Sequence, residues 1–189
     1  MDGLEVALSV GTGVALAAAV GFRVFLPLLA TGLAIHFAGV APSLGFEWLG
    51  EPWALIALGI AAVLEIAAYY VPGVDHALDV VAAPLALAAG VVVAASVMAD
   101  LPTWLRWLAA IVAGGGATAA TYSLSSLLRA KSGAATGGLG NPVVASGELA
   151  GAAGLAALAL LVPVLALAAV IALVVFALRR LVRRRRGAA

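Results

Sequence analysis

The sequence predicts an all-α fold, a polytopic transmembrane helical bundle with about five to seven membrane segments. Of its 189 residues, 65% are hydrophobic and only 10% are charged. A soluble domain carries about 25% charged residues, so this chain has too few charges to cover a water-exposed surface. Positions 149–178 contain no charged residue, and six arginines follow between positions 179 and 186. Because about 20 apolar residues suffice to cross a bilayer, this uncharged run alone predicts a membrane protein.

The arginine cluster gives the chain an orientation. Arginines directly after an apolar segment are retained on the cytoplasmic side, so we expect a cytoplasmic C-terminus. The predicted layout is one transmembrane domain, residues 1–178, followed by a basic tail, residues 179–189. The tail should attract anionic lipid headgroups, and because it adjoins a membrane segment, we expect no nucleic-acid partner. The first five residues lack the basic start of a cleavable signal peptide, so the first apolar segment should be retained.

Charges and helix breakers divide the apolar sequence into seven segments, at 6–22, 24–40, 52–71, 74–98, 103–128, 142–162 and 164–178. Arg23 separates the first two, and an acidic, aromatic loop at 43–51 follows the second. Pro52 opens the third segment, at a position where proline suits a helix. Pro72 and Gly73 interrupt the chain before the fourth segment.

The second half of the chain is divided in the same way. Asp100–Leu101–Pro102 forms a turn before the fifth segment, a glycine-rich loop spans 129–141, and Pro163 separates the last two segments. The fifth segment carries small and hydroxylated residues, among them Thr118, Thr121 and Ser125. Such a face favours close helix packing, and a hydroxyl-lined pathway is the open alternative.

The short segment pairs at each end are either tight hairpins or single kinked helices. If both are hairpins and the C-terminus is cytoplasmic, then Arg23, Arg129 and Lys131 all lie on the cytoplasmic side, as basic loop residues should. Only Arg106 violates this rule, and it lies between two tryptophans of a predicted interfacial belt. We therefore favour seven segments with the N-terminus outside, while five or six spans with re-entrant pieces remain an alternative.

Ionisable residues inside membrane segments are costly to bury and indicate a functional site by default. In this chain they are Arg23, Glu65, Asp75, Asp79 and Glu148. In the favoured topology all five approach the cytoplasmic side and should line one polar cavity. The i,i+4 spacing of Asp75 and Asp79 places both on one helix face.

Such a cluster suits proton or cation coupling. A carboxylate balanced between burial, which favours its neutral form, and a neighbouring arginine, which favours its charged form, can exchange a proton. The alternative is an internal ion pair between Arg23 and one of the acids that holds helices together. Glu65 is the best single candidate, because it lies deep in its segment with Tyr69 one turn later.

The glycine-rich loop is a second candidate site, formed by the backbone of Gly137, Gly138, Gly140 and Asn141. We expect Asn141 to cap a helix that begins at Pro142. The free N–H groups at such a helix start suit an anion. The loop lacks the Gly-Lys-Ser/Thr ending of a nucleotide P-loop. There are two alternatives to an anion site. The segment is either a flexible loop before an ordinary helix start or a re-entrant loop that lines a water-filled path.

Four motifs in this order resemble a family of small bacterial multi-pass membrane proteins classed as a domain of unknown function. They are Gly21–Pro27 (GFRVFLP), Phe46–Gly50 (FEWLG), Leu64–Pro72 (LEIAAYYVP) and Thr136–Val144 (TGGLGNPVV). The resemblance covers about residues 4–178 and implies a helical inner-membrane protein without an assigned activity. It marks Arg23, Glu65, Asp75, Asp79 and the 136–142 loop as recurrent without giving them a role.

The leading functional hypothesis is a small transporter or permease-like protein with a cytoplasm-facing polar cavity. Glu65, Asp75 and Asp79 would form the proton or cation site, and Arg23 would be the counter-ion or the contact for an anionic substrate. A membrane scaffold with structural ion pairs and an intramembrane lipid-acting enzyme are the alternatives. The sequence contains no cysteine and no hydrolase motif, so we expect no catalytic residue, metal or cofactor. We expect a homodimer, because the chain is small for a sealed pathway.

Overall fold

The computed structural model describes residues 3–70 and 74–186. For residues 74–81 and for some residues of 174–186 it describes the backbone alone. All regular elements of this described part are helical, which confirms the predicted all-α fold. The helices are α1 (Gly3–Val20), α2 (Phe25–Ala38), α3 (Pro52–Ala68), α4 (Val74–Val97), α5 (Thr103–Thr136), α6 (Asn141–Leu161) and α7 (Pro163–Arg186). A short 3-10 helix, Glu47–Gly50, lies in the loop between α2 and α3.

Three helices are long and apolar enough to cross a membrane within the described residues, namely α1, α5 and α6, with 18, 34 and 21 residues. This agrees with a membrane protein. The apolar helices α2 and α3 are shorter, at 14 and 17 residues. At a rise of 1.5 Å per residue, α2 covers about 21 Å and falls short of the roughly 30 Å hydrocarbon core.

Helix α5 is longer than the sequence predicts. The predicted segment ended at Leu128, whereas the helix continues to Thr136 and takes up most of the predicted 129–141 loop. The added stretch contains Arg129, Lys131 and three alanines, which are good helix formers. The helix ends only at Gly137, whose φ of 61° is left-handed and costs glycine little.

Helices α6 and α7 are separate elements joined by Val162, whose backbone (φ −141°, ψ 74°) is not helical. Pro163 cannot donate the backbone hydrogen bond that a continuous helix would need, so a new helix begins there. Helix α7 continues through the arginine-rich stretch to Arg186, eight residues beyond the predicted end at 178.

Helix α1 is the centre of the bundle. Its consecutive residues 15–20 are fully buried, and it packs against α4, α5, α6 and α7. This second half of α1 is buried on all sides and serves as a hub, and its small side chains allow the surrounding helices to approach closely.

The hydroxylated face of α5 binds α1 directly. The Thr118 hydroxyl donates to the Ala17 carbonyl at 2.7 Å, and the Thr121 hydroxyl donates to the Ala18 carbonyl at 2.8 Å. Ser125, one turn further on, also turns inward and is fully buried. The packing interpretation of this face is therefore correct, and a hydroxyl-lined pathway along Thr118 and Thr121 is wrong, because the α1 backbone occupies it.

We predict that Gly21→Ala destabilises the bundle by about 1–3 kcal/mol, the usual cost of overpacking. A Cβ at Gly21 would overlap the Thr121 hydroxyl and lie 2.7 Å from the Thr118 carbonyl oxygen. Thermal unfolding in detergent measures the change. Gly59→Ala is the control, since nothing lies within 4 Å of a Cβ at that position. Equal melting temperatures for both variants would contradict the close α1–α5 contact.

Candidate functional site

Arg23 lies in the turn between α1 and α2 and is only 1% exposed. The turn is closed by the N–H groups of Phe22 and Arg23, which both donate to the Ala19 carbonyl. This directs the Arg23 side chain toward α6, where its Nη2 donates to the Ala145 carbonyl at 2.9 Å. The same nitrogen lies 3.4 Å from Glu148 Oε2.

Glu148 connects this arginine to a second one. Its Oε2 lies 3.3 Å from Nη1 of Arg129 on α5, and its Oε1 accepts a hydrogen bond from the Ser125 hydroxyl. All of these side chains are buried. One carboxylate therefore faces two guanidinium groups, which lie on two different elements of the fold.

Tyr69, directly after α3, completes the cluster. Its ring centroid is 4.0 Å from the Arg23 Cζ and 4.5 Å from the Arg129 Cζ, so both cations contact one aromatic ring. We refer to Arg23, Arg129, Glu148, Ser125 and Tyr69 as the arginine–glutamate centre.

Arg23 has spare hydrogen-bonding capacity in this centre. Its Nε and Nη1 atoms are buried and have no hydrogen-bond partner among the described residues. Burying a donor without an acceptor costs about 1–3 kcal/mol, and more for a charged group. The centre therefore retains donors that a polar or anionic ligand would satisfy.

Glu65 has a different environment from the one that the sequence suggests. Its Oε1 accepts from the Val24 N–H at 2.7 Å, and its Oε2 accepts from the Phe25 N–H at 3.0 Å. Glu65, which lies on α3, thus caps the N-terminus of α2. A negative charge at this N-terminus also interacts favourably with the dipole of α2. The buried carboxylate that pairs with Arg23 is Glu148.

We predict that Glu65→Gln lowers the stability of the fold by about 0.5–2 kcal/mol, the range for losing a helix cap. A glutamine keeps one acceptor oxygen but places its NH2 group against the second backbone donor. Thermal unfolding in detergent reports the loss. Glu51→Gln is the matched control, because Glu51 precedes α3 without a side-chain capping bond. A loss no larger than that of the control would contradict the capping role.

The predicted acids of α4, Asp75 and Asp79, have side chains outside the described residues, although the α4 backbone is described there. Their membership of the site stays a prediction.

The glycine-rich loop is reduced to a short turn between α5 and α6. Gly137 and Gly138 have left-handed φ values of 61° and 92° and lie at the surface or partly exposed. The Gly140 N–H donates to the Thr136 hydroxyl oxygen at 2.8 Å, so this amide is already used within the turn. The prediction that the remaining glycine N–H groups bind an anion stays a proposal.

The expected cap at Asn141 is wrong. Helix α6 begins at Asn141 itself, and Gly140 precedes it at the capping position, where the Thr136 hydroxyl accepts the hydrogen bond of the Gly140 N–H. The Asn141 side chain is instead buried, on the α6 face that also carries Ala145 and Glu148. The i, i+4, i+7 spacing of these three residues explains why they share that face.

The structure thus brings Arg23 and Glu148 together, places Glu65 beside them as a cap, and leaves the turn glycines at the periphery. Sequence reasoning did not assign Arg129, Ser125 or Tyr69 to the site. Ser125 and Arg129 are four residues apart, and their shared helix face would have indicated a pair had α5 been predicted to continue past position 128. The described residues contain no group of three or more His, Asp or Glu side chains that could hold a metal.

The comparisons with known proteins agree with the resemblance of the four motifs. Residues 10–183 match the family described as a domain of unknown function (DUF4126). Neither the curated proteins nor the solved structures include a match to this chain. The chain belongs to the DUF4126 family.

Proposed function

We propose that this protein is a small transporter whose arginine–glutamate centre binds an anionic solute together with a proton. The observation that carries the proposal is the buried Arg23 guanidinium, whose Nε and Nη1 atoms have no acceptor among the described residues. A buried charge with unused donors is costly, and functional sites are where such a cost is offset by ligand binding.

Glu148 is the residue that links the proton to the anion. Both guanidinium groups of the centre contact its Oε2 atom, so an incoming anion competes with this carboxylate for the same cations. As the anion replaces Glu148 beside Arg23, the carboxylate loses part of its stabilisation and its neutral form becomes favoured. Glu148 therefore takes up a proton when the anion binds and returns it when the anion leaves.

This assignment moves the proton site from Glu65 to Glu148. Both carboxylate oxygens of Glu65 already accept backbone hydrogen bonds from the start of α2. Protonating Glu65 would break one of these bonds, which makes it a poor carrier and a good structural anchor. Asp75 and Asp79 remain proposed members of the proton or cation site, and Gly137, Gly138, Gly140 and Asn141 remain proposed substrate contacts.

The end of α3 forms the gate of the proposed pathway. Tyr69 covers both guanidinium groups, and the hydroxyl of the neighbouring Tyr70 hydrogen-bonds the Ser146 hydroxyl on α6 at 2.8 Å. Helix α3 packs mainly on α2 and the 3-10 helix, so few contacts hold its end against α6. Movement of the end of α3 away from α6 would break the Tyr70–Ser146 bond and expose the centre.

The proposed setting is the inner membrane of a bacterium, with the C-terminus and the polar cavity facing the cytoplasm. The supporting observation is the arginine cluster after the last apolar segment. We further propose that the basic tail contacts anionic lipid headgroups and that the working unit is a homodimer.

Flux measurements in proteoliposomes test this function. Vesicles loaded with a pH-sensitive dye are given an inward gradient of acetate, chloride or phosphate in separate trials. We predict acidification of the lumen by wild type with at least one of these anions, and loss of that signal in Glu148→Gln. Glu51→Gln, an exposed acid outside the centre, should behave like wild type. Equal flux in wild type and Glu148→Gln would reject the proposed coupling.

A membrane scaffold is the second candidate, and the Glu65 cap favours it. In addition, Arg23 and Glu148 join the α1–α2 turn, α5 and α6 by backbone and ionic contacts. Such contacts can serve the architecture of the bundle alone. This reading predicts that Glu148→Gln lowers the melting temperature while wild type shows no flux with any of the anions. Flux by wild type that depends on Glu148 would exclude a purely structural role.

A further inference from the structure

A third buried arginine, Arg106, lies far from the arginine–glutamate centre. It sits in the first turns of α5 and is only 6% exposed. Arg129 follows it by 23 residues on the same helix. At 1.5 Å per residue the two arginines are roughly 34 Å apart along the axis, which is about the thickness of a hydrocarbon core. They therefore occupy opposite ends of the bundle.

The loop between α2 and α3 folds over Arg106. The Arg106 Nη2 atom lies 3.4 Å from the Leu44 carbonyl, and its Cζ lies 5.9 Å from the centroid of the Phe46 ring. The loop is anchored by the Ser43 N–H, which donates to the Ser96 carbonyl of α4 at 2.7 Å. Ser43 is the chain neighbour of Leu44, whose carbonyl Arg106 approaches, so Ser43 and Arg106 belong to the same part of the contact between this loop and the bundle.

Both residues carry buried polar atoms that lack partners. The Arg106 Nε and the Ser43 hydroxyl have no hydrogen-bond partner among the described residues, and Arg106 makes no ion pair there. The carboxylate of Glu47, in the same loop, accepts a hydrogen bond from the Gly45 N–H at 2.9 Å and forms no ion pair with Arg106. The loop therefore carries a buried hydroxyl group and covers a buried cation, and each has a hydrogen-bonding atom that is not used within the described part of the chain.

We propose that Arg106 and Ser43 form a binding site for a phosphate-bearing anion at this end of the bundle. Arginine and hydroxyl donors suit the several acceptor oxygens of phosphate. The neighbouring Trp104 and Trp107 are 69% and 40% exposed, as expected of side chains at the depth of lipid headgroups. The headgroup of a phospholipid and free inorganic phosphate share this chemistry, and the site is independent of the arginine–glutamate centre.

The first arm of the test measures retained lipid. Protein in detergent is incubated with equal amounts of phosphatidylglycerol and phosphatidylcholine, and bound lipids are counted by native mass spectrometry. Arg106→Gln keeps the lipids that the basic tail attracts and should weaken retention at the Arg106 site about tenfold or more, which removes one lipid per chain from the count, as expected for losing a charged hydrogen bond. Ser43→Ala should weaken it less. Lys131→Gln, an exposed basic residue near the other end of α5, should retain lipid like wild type.

The second arm replaces lipid with inorganic phosphate and follows the melting temperature of delipidated protein. A phosphate-dependent rise in wild type that is absent in Arg106→Gln identifies free phosphate as the ligand. Loss of lipid retention without a phosphate effect identifies the headgroup. Identical behaviour of wild type and Arg106→Gln in both arms would overturn the site. If Arg106→Gln does not fold, Ser43→Ala decides, and unchanged binding in both arms would again reject it.

Discussion

Glu148→Ala is expected to destabilise the protein by about 3–5 kcal/mol, the cost of breaking a buried ion pair by removing one partner. The reason lies in the geometry of the centre, where the Glu148 carboxylate is within 3.4 Å of Arg23 and 3.3 Å of Arg129. Removing it deprives two buried guanidinium groups of the carboxylate that they share, so their mutual repulsion is added to the lost pairing. Thermal and denaturant unfolding in detergent measures the loss.

A second substitution separates charge from packing. Glu148→Ala combined with Arg23→Met removes one buried cation along with the carboxylate, so part of the stability should return. The two residues touch, so their effects should be strongly non-additive. Simple additivity of the single losses would show that Arg23 and Glu148 do not interact in the folded protein.

Arg23→Lys is expected to abolish or strongly reduce anion-dependent flux even if the protein folds. An ammonium group on a lysine stem cannot at once reach the Ala145 carbonyl, lie flat over the Tyr69 ring and keep two spare donors, as the guanidinium does. We expect at least a tenfold loss in apparent anion affinity, about 1.4 kcal/mol.

The control for this variant is Arg106→Lys, which makes the same chemical change at the opposite end of the bundle. It should leave the anion-dependent flux through the arginine–glutamate centre unchanged. Loss of flux in both variants to the same extent would mean that the effect is a general response to losing a buried guanidinium.

Much of the fold was accessible from the sequence, because charges and prolines separate its apolar segments. The boundary at Arg23, the helix start at Pro52 and the interruption at Pro163 agree with the structure. The end of α5 was missed because the glycines after position 132 suggested a loop from Arg129 onward. Ala130 and Lys131 before Gly133, and Ala134 and Ala135 after it, carry the helix on to Thr136, and φ turns positive only at Gly137.

The site was harder to predict than the fold. Charge counting placed Arg23 and Glu148 on the same side, and the structure has them in contact. The role of Glu65 was not predictable, since its carboxylate bonds backbone groups 41 and 40 residues earlier in the chain. The stacking of Tyr69 on two arginines also depends on tertiary packing, for which the local sequence contains no pattern.

The proposed function requires that the spare donors of Arg23 bind an anion inside the bundle. An experimental structure of the protein in bromide or selenate, with anomalous scattering recorded, locates such an anion. We expect an anomalous peak within hydrogen-bonding distance of Arg23 Nε or Nη1, and we expect this peak to be absent in crystals of Arg23→Lys. The proposal would be refuted by an arginine–glutamate centre that has no anomalous peak and in which protein groups accept hydrogen bonds from both Arg23 Nε and Nη1.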